Sequence, residues 1–158
     1  MRFTDGIIAD LFWKPLKKFG DERGWLGELF REDELPPGFQ VTMAYVSMTK
    51  GGVIRGPHEH VDQSDCFCFI GPGDFRITLW DMRQGSPTHG VRQELIVGES
   101  NPMLVVVPPR VVHAYKNITN QDAIVYNFPD RLYKGKGRKD PVDEIRHELD
   151  PNSIYRIE

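Results

Sequence analysis

Several things are scarce in this chain, and each scarcity excludes a class of protein. There are only two cysteines in 158 residues, Cys66 and Cys68. Two lone cysteines are no disulfide framework. On a strand, their i, i+2 spacing turns both to one face as small buried apolar side chains. Long apolar runs are missing too. The longest, Met103 to Val107, is far too short to cross a bilayer. The first residues, Met1-Arg2-Phe3-Thr4-Asp5, lack the basic and then apolar regions of a secretory leader. A cytoplasmic location is the resulting expectation. Excess positive charge is absent: the net charge is -3. The chain therefore has no general attraction to nucleic acid or to an anionic membrane, and any phosphate site must be built locally from a few arginines. Internal repeats, low-complexity stretches and Ser/Gly-rich linkers are also lacking. One domain over residues 1–158 is expected, with about the last 25 residues a short C-terminal extension packing on it.

Glycine and proline, by contrast, are plentiful and regularly placed. Gly51-Gly52, Gly56-Pro57, Gly71-Pro72-Gly73, Ser86-Pro87 and Pro108-Pro109 break the chain into short segments. Between the breaks, Phe75 to Trp80 alternates, which puts Phe75, Ile77 and Leu79 on one face. Leu104 to Val107 and Ala123 to Phe128 are β-branched or aromatic runs suited to buried strands. Helical periodicity is confined to the stretch around Asp143 to Leu149. The rhythm implies an all-β, antiparallel sandwich or barrel.

The chemistry-bearing residues gather in two places. His58-Glu59-His60 follows Gly52 after five intervening residues, with Asp65 just beyond and Gly71-Pro72-Gly73 closing a turn. Later, Pro108-Pro109-Arg110-Val111-Val112-His113 is followed by Asn117. Histidines at i and i+2 project from the same strand face, and a third from a neighbouring strand can converge on them. Only His89 and His147 lie elsewhere. The two segments, in this order, resemble the two motifs of the cupin superfamily, with Asp65 where many cupins have Glu and Arg110 where many have Gly. The resemblance implies a cupin, or jelly-roll, β-sandwich barrel. His58, His60, Asp65 and His113 are also a chemically suitable metal set, three imidazoles and a carboxylate.

Three further segments narrow the family. Asp21-Glu22-Arg23-Gly24-Trp25-Leu26-Gly27-Glu28-Leu29-Phe30, Gly52-Val53-Ile54-Arg55-Gly56-Pro57-His58 and Trp80-Asp81-Met82-Arg83-Gln84-Gly85-Ser86-Pro87-Thr88-His89-Gly90 resemble ordered segments of the dTDP-4-dehydrorhamnose 3,5-epimerases. With the His113 segment, the matches run from about Asp21 to Tyr126. The resemblance implies a cofactor-free isomerase acting on a dTDP-4-keto-6-deoxy sugar in deoxysugar or polysaccharide biosynthesis. His58 matches the family's base and Tyr126 its tyrosine acid. Arg23, Glu28 and Arg55 match nucleotide- or phosphate-contacting positions, and His60 and His113 line the substrate site. A nucleotide-sugar substrate is the expected partner, and a homodimer the expected assembly.

The chain also departs from the family pattern. Cys66 stands where the register puts the family's lysine. The aspartate that hydrogen-bonds the base near the family's C-terminus has no evident counterpart. Met43 and Tyr45 replace residues of a glutamine-bearing stretch, and His60 replaces a glutamine. These departures leave two rivals open: a metal-dependent enzyme using His58, His60, Asp65 and His113, and a sugar-nucleotide binding protein that has lost the chemistry.

Overall fold

The computed structural model describes residues 2–157. It contains thirteen strands: β1 (Thr4–Asp5), β2 (Phe12–Pro15), β3 (Lys18–Asp21), β4 (Gly24–Gly27), β5 (Tyr45–Thr49), β6 (Ile54–Glu59), β7 (Asp65–Phe69), β8 (Asp74–Asp81), β9 (Val91–Gly98), β10 (Met103–Val107), β11 (Val111–Asn117), β12 (Ala123–Asn127) and β13 (Ile145–Arg146). Three short 3-10 turns are the only helical segments among the described residues. The strands form a six-stranded sheet, β1-β9-β8-β11-β6-β13, and a five-stranded sheet, β2-β10-β7-β12-β5, while β3 and β4 make a separate hairpin. The architecture is the expected jelly-roll sandwich.

Strand alternation explains the core. Phe75, Ile77 and Leu79 of β8, Val105 and Val107 of β10, Phe67 and Phe69 of β7, and Val125 of β12 meet between the sheets in one buried cluster. Each such side chain stabilises the fold by about 1.5–3 kcal/mol relative to exposure. The alternate positions Cys66, Cys68 and Ile70 face the other side of β7, where they pack with Leu16, Leu104 and Val106. Both thiols are buried and unbridged.

The stretch around Asp143 to Leu149 is not the regular helix that its periodicity suggests. Ile145 and Arg146 extend as β13 along the free edge of β6, pairing with Glu59 and His58, and His147–Leu149 closes a single 3-10 turn. An unpaired sheet edge offers hydrogen bonds that outweigh a weak local preference for helix.

The Ser-Pro-Thr segment is a structural staple. The fully buried Asp81 carboxylate accepts from Arg83 Nε and Nη2 (both 2.9 Å), Ser86 Oγ (2.6 Å) and Thr88 Oγ1 (2.7 Å). Arg83 also bonds Asp10 and the Ala9 carbonyl, tying the N-terminal segment to the turn between β8 and β9.

Candidate active site

The site forms where β6 and β11 run antiparallel with His58 opposite His113. Their rings lie 4.5 Å apart, and that of His60 lies 5.8 Å from His58 and 6.1 Å from His113. Gly56 permits this approach. It holds φ +82°, and a Cβ there would come within 2.7 Å of the His113 carbonyl oxygen and 3.1 Å of His58 Nδ1. His58 and His60 line an open cavity of about 1570 Å³, along with Tyr45, Ser47, Arg55, Glu144 and the segment after β12. That volume suits a ligand larger than a single sugar.

Asp65 sits at the centre, buried among the three histidines. Its Oδ2 is 3.1 Å from His60 Nε2 and 3.3 Å from His113 Nε2. Its Oδ1 accepts from Gln63 Nε2 (3.0 Å) and Asn127 Nδ2 (2.9 Å). His113 Nδ1 donates to the Val111 carbonyl, and His60 Nδ1 to the Asp143 carbonyl. A neutral imidazole that donates through Nδ1 keeps only a lone pair at Nε2. Both Nε2 atoms therefore aim at a carboxylate oxygen, and neither Asp65 Oδ2 nor His113 Nε2 makes a hydrogen bond. The arrangement calls for a positive charge. A proton supplies one: burial pulls the His60 pKa down, but contact with Asp65 outweighs it and raises the value to about 9. A divalent ion would supply another. The ligand atoms of His58, His60, Asp65 and His113 all lie within 4.8 Å of one another, so the donor set fits a metal.

His58 behaves differently. Burial and the neighbouring His113 lower its pKa to about 2, against a smaller opposing pull from Asp65. It is neutral at physiological pH, and for it to hold a proton a neighbouring anion must offset that burial. The Glu144 carboxylate lies behind it, 3.9 Å from Nδ1. Pairing of β13 with β6 delivers this carboxylate. Asp143 anchors the same segment by accepting from the backbone N–H groups of Val61, Asp62 and Gln63 at 2.8–3.0 Å.

The structure thus brings together His58, His60, Asp65 and His113, with Arg55 on the cavity wall. Arg55 is held by Thr49 Oγ1 and the Met48 carbonyl. It does not bring in Tyr126, whose ring packs with Cys66, Cys68 and Ile70 outside the sandwich. Inward positions on β12 are odd-numbered, Val125 and Asn127, so Tyr126 faces away. The same alternation turns Cys66 outward and Asp65 inward. Arg23 and Glu28 also lie away from the cavity, Arg23 on Asp21 at the exposed hairpin tip and Glu28 3.8 Å from Arg31.

Two further residues line this cavity without a motif to mark them. Glu144 carried no local signal, because only strand pairing places it. Tyr45 stands in the sequence only as a departure from the family pattern, yet its hydroxyl accepts from Asn127 Nδ2 at 2.6 Å, within the network of Asp65. Burial and the Asp65 charge raise its pKa, so the phenol stays protonated.

Comparison with known proteins identifies the family. The family model for dTDP-4-dehydrorhamnose 3,5-epimerase matches residues 6–143. The spore coat polysaccharide biosynthesis protein SpsL of Bacillus subtilis is 34% identical over 142 residues, 89% of each chain. The probable low-salt glycan biosynthesis epimerase Agl13 of Haloferax volcanii is 31% identical over 137 residues, 87% of this chain and 86% of that one. Among solved structures, a dTDP sugar isomerase from Desulfovibrio desulfuricans superposes with a TM-score of 0.81 at 22% identity, covering 95% of this chain and 91% of that one. No helix among the described residues is long and apolar enough to cross a membrane. The chain belongs to the dTDP-4-dehydrorhamnose 3,5-epimerase family, a family of deoxysugar epimerases.

Proposed function

We propose that this chain epimerises a dTDP-4-keto-6-deoxy sugar by moving a proton beside the ketone, in deoxysugar or polysaccharide biosynthesis. The observation that carries this reading is the neutral His58 facing the cavity with the Glu144 carboxylate behind it. His58 takes the proton from the carbon next to the carbonyl, and the C–H electron pair moves onto the ketone oxygen as an enolate. Glu144 stabilises the imidazolium that forms. His60, kept cationic by Asp65, supplies the positive charge beside the enolate that the family's lysine would otherwise supply. Tyr45 returns a proton from the opposite face, in the role that Tyr126 cannot fill from outside the sandwich. Arg55 contributes to binding on the cavity wall. The free thiols of Cys66 and Cys68 agree with a cytoplasmic location.

The test is solvent deuterium incorporation into a dTDP-4-keto-6-deoxyhexose, followed together with product formation. Tyr45→Phe is expected to retain incorporation while slowing appearance of the inverted product by roughly 100-fold. Tyr126→Phe is expected to leave both within about twofold. A loss of inverted product in Tyr126→Phe but not in Tyr45→Phe would reverse the assignment.

A second reading is favoured by the two aligned Nε2 lone pairs and the unsatisfied Asp65 Oδ2. His58, His60, Asp65 and His113 would then hold a divalent cation, whose chemistry would be to polarise the ketone oxygen.

We also propose a homodimer. β5 ends its sheet with Val46 and Met48 exposed, and the β3–β4 hairpin exposes Phe19, Trp25 and Leu26. Such edges and patches are stabilised by a second copy. Any contribution of Arg23 and Glu28 to a substrate site requires that copy. Light scattering at tens of micromolar is expected to give twice the 18.2 kDa chain mass. A mass near 18.2 kDa would exclude the dimer.

A further inference from the structure

Several cations of this protein are neutralised by neighbouring carboxylates. Arg23, Arg31, Arg76, Arg83, Arg92, Arg146 and Lys14 are each ion-paired with a carboxylate. Lys134, Lys136 and Arg138 make no ion pair among the described residues, although all three line the cavity that holds His58. They belong to the segment Arg131-Leu132-Tyr133-Lys134-Gly135-Lys136-Gly137-Arg138-Lys139-Asp140, with five cations against a single carboxylate in a chain of net charge -3.

The backbone of this segment is unusual in the same place. Lys134 (φ 57°), Gly135 (65°), Gly137 (71°) and Arg138 (59°) all occupy the left-handed region. Lysine and arginine adopt it only at a cost, so the surrounding structure must hold them there. Gly135 N–H donates to the Leu132 carbonyl, Arg138 N–H to Gly135, and Asp140 N–H to Lys134. A Cβ on Gly135 would collide with the Asp140 carboxylate, so glycine is required where the loop closes. Arg131 Nε pins the start of the segment to the Asp62 carbonyl. Three of the carboxylates on the cavity wall are engaged elsewhere, Asp130 with the Ser64 N–H, Asp143 with three N–H groups and Glu144 with Arg146, while Asp62, Asp140 and Glu148 also line it. The loop therefore presents a net positive charge, five cations against the one Asp140 carboxylate, to the cavity on a constrained backbone.

We infer that Lys134, Lys136 and Arg138 form the subsite for the substrate's diphosphate. The inference rests on the nucleotide-sugar reading above and assigns it residues that neither the family motifs nor the histidine cluster includes. The fit is chemical: a diphosphate spreads its charge over several oxygens, and three cations on one loop can engage it at once. Exposure of these side chains implies that binding weakens with added salt.

The experiment titrates the full-length protein with dTDP, and separately with thymidine, at low and at high salt. Wild-type protein is expected to bind dTDP with affinity that falls as salt rises. Lys134→Gln, Lys136→Gln and Arg138→Gln combined are expected to weaken dTDP at least tenfold, flatten that salt dependence and leave thymidine binding within twofold. Lys50→Gln, outside the cavity lining, serves as a control for loss of a surface cation elsewhere and is expected to change nothing. Unchanged dTDP affinity in the triple variant, or an equal loss for thymidine, overturns the assignment. Wild-type deuterium incorporation separates the two failures. If it persists while the triple variant binds normally, only the loop assignment falls. If wild-type protein neither exchanges nor binds dTDP, the nucleotide-sugar reading falls with it.

Discussion

His58→Asn is expected to abolish deuterium incorporation at the carbon beside the ketone, a loss of about a thousandfold or more, equivalent to ~4 kcal/mol of transition-state stabilisation. Asparagine fills similar space but cannot take up the proton at neutral pH. Binding of the nucleotide sugar should stay within roughly tenfold, about 1.4 kcal/mol, because the cationic cavity wall is untouched. Glu144→Gln should show a smaller loss in turnover with little change in KM, since the amide keeps the shape of the carboxylate but not the charge that stabilises imidazolium. The metal reading makes a different forecast for the same substitution. If His58 is a ligand, protein purified without added metal contains a stoichiometric divalent ion, and His58→Asn releases it. Full incorporation by the variant would remove His58 as the base.

Asp81→Asn is expected to destabilise the fold by about 3 kcal/mol, lowering the thermal midpoint by roughly 10 °C. The carboxylate is wholly buried and collects donors from Arg83, Ser86 and Thr88. Burial alone would raise its pKa, but those donors hold it well below the usual carboxylate range. An amide accepts through one oxygen and presents an N–H₂ group to donors, leaving Arg83 only the exposed Asp10 carboxylate as a counter-charge. The damage should extend to the N-terminal segment, because Arg83 also holds Asp10 and Ala9. Differential scanning calorimetry gives the answer: a drop of less than about 3 °C would show that the staple contributes little. Dimer formation and dTDP affinity, measured below the new midpoint, should be close to wild type, which distinguishes a staple from a binding residue.

Much of this molecule was determined by the order of its residues. Alternation of Phe75, Ile77 and Leu79 placed them together in the core, and Gly/Pro breaks set the strand lengths. Two histidines at i, i+2, with a third behind Pro108-Pro109, sufficed to bring three imidazoles together, because side-chain direction along a strand has a fixed period of two. The paired motifs and the Ser-Pro-Thr segment carried the family. Tertiary structure decided what depended on parity at a distance or on pairing between remote strands. Tyr126 and Cys66 stand at plausible distances in sequence from His113 and His58, yet each is one residue out of phase with the cavity, and a one-residue offset turns a side chain to the opposite face. Arg23 and Glu28 match their motif but ride on a hairpin that one chain does not fold over its own cavity. Glu144 reaches His58 only because β13 adds to the edge of β6, across more than eighty residues of intervening chain. Sequence alone carries no signal for that contact, since the energy that forms it lies in long-range backbone pairing and not in any local preference.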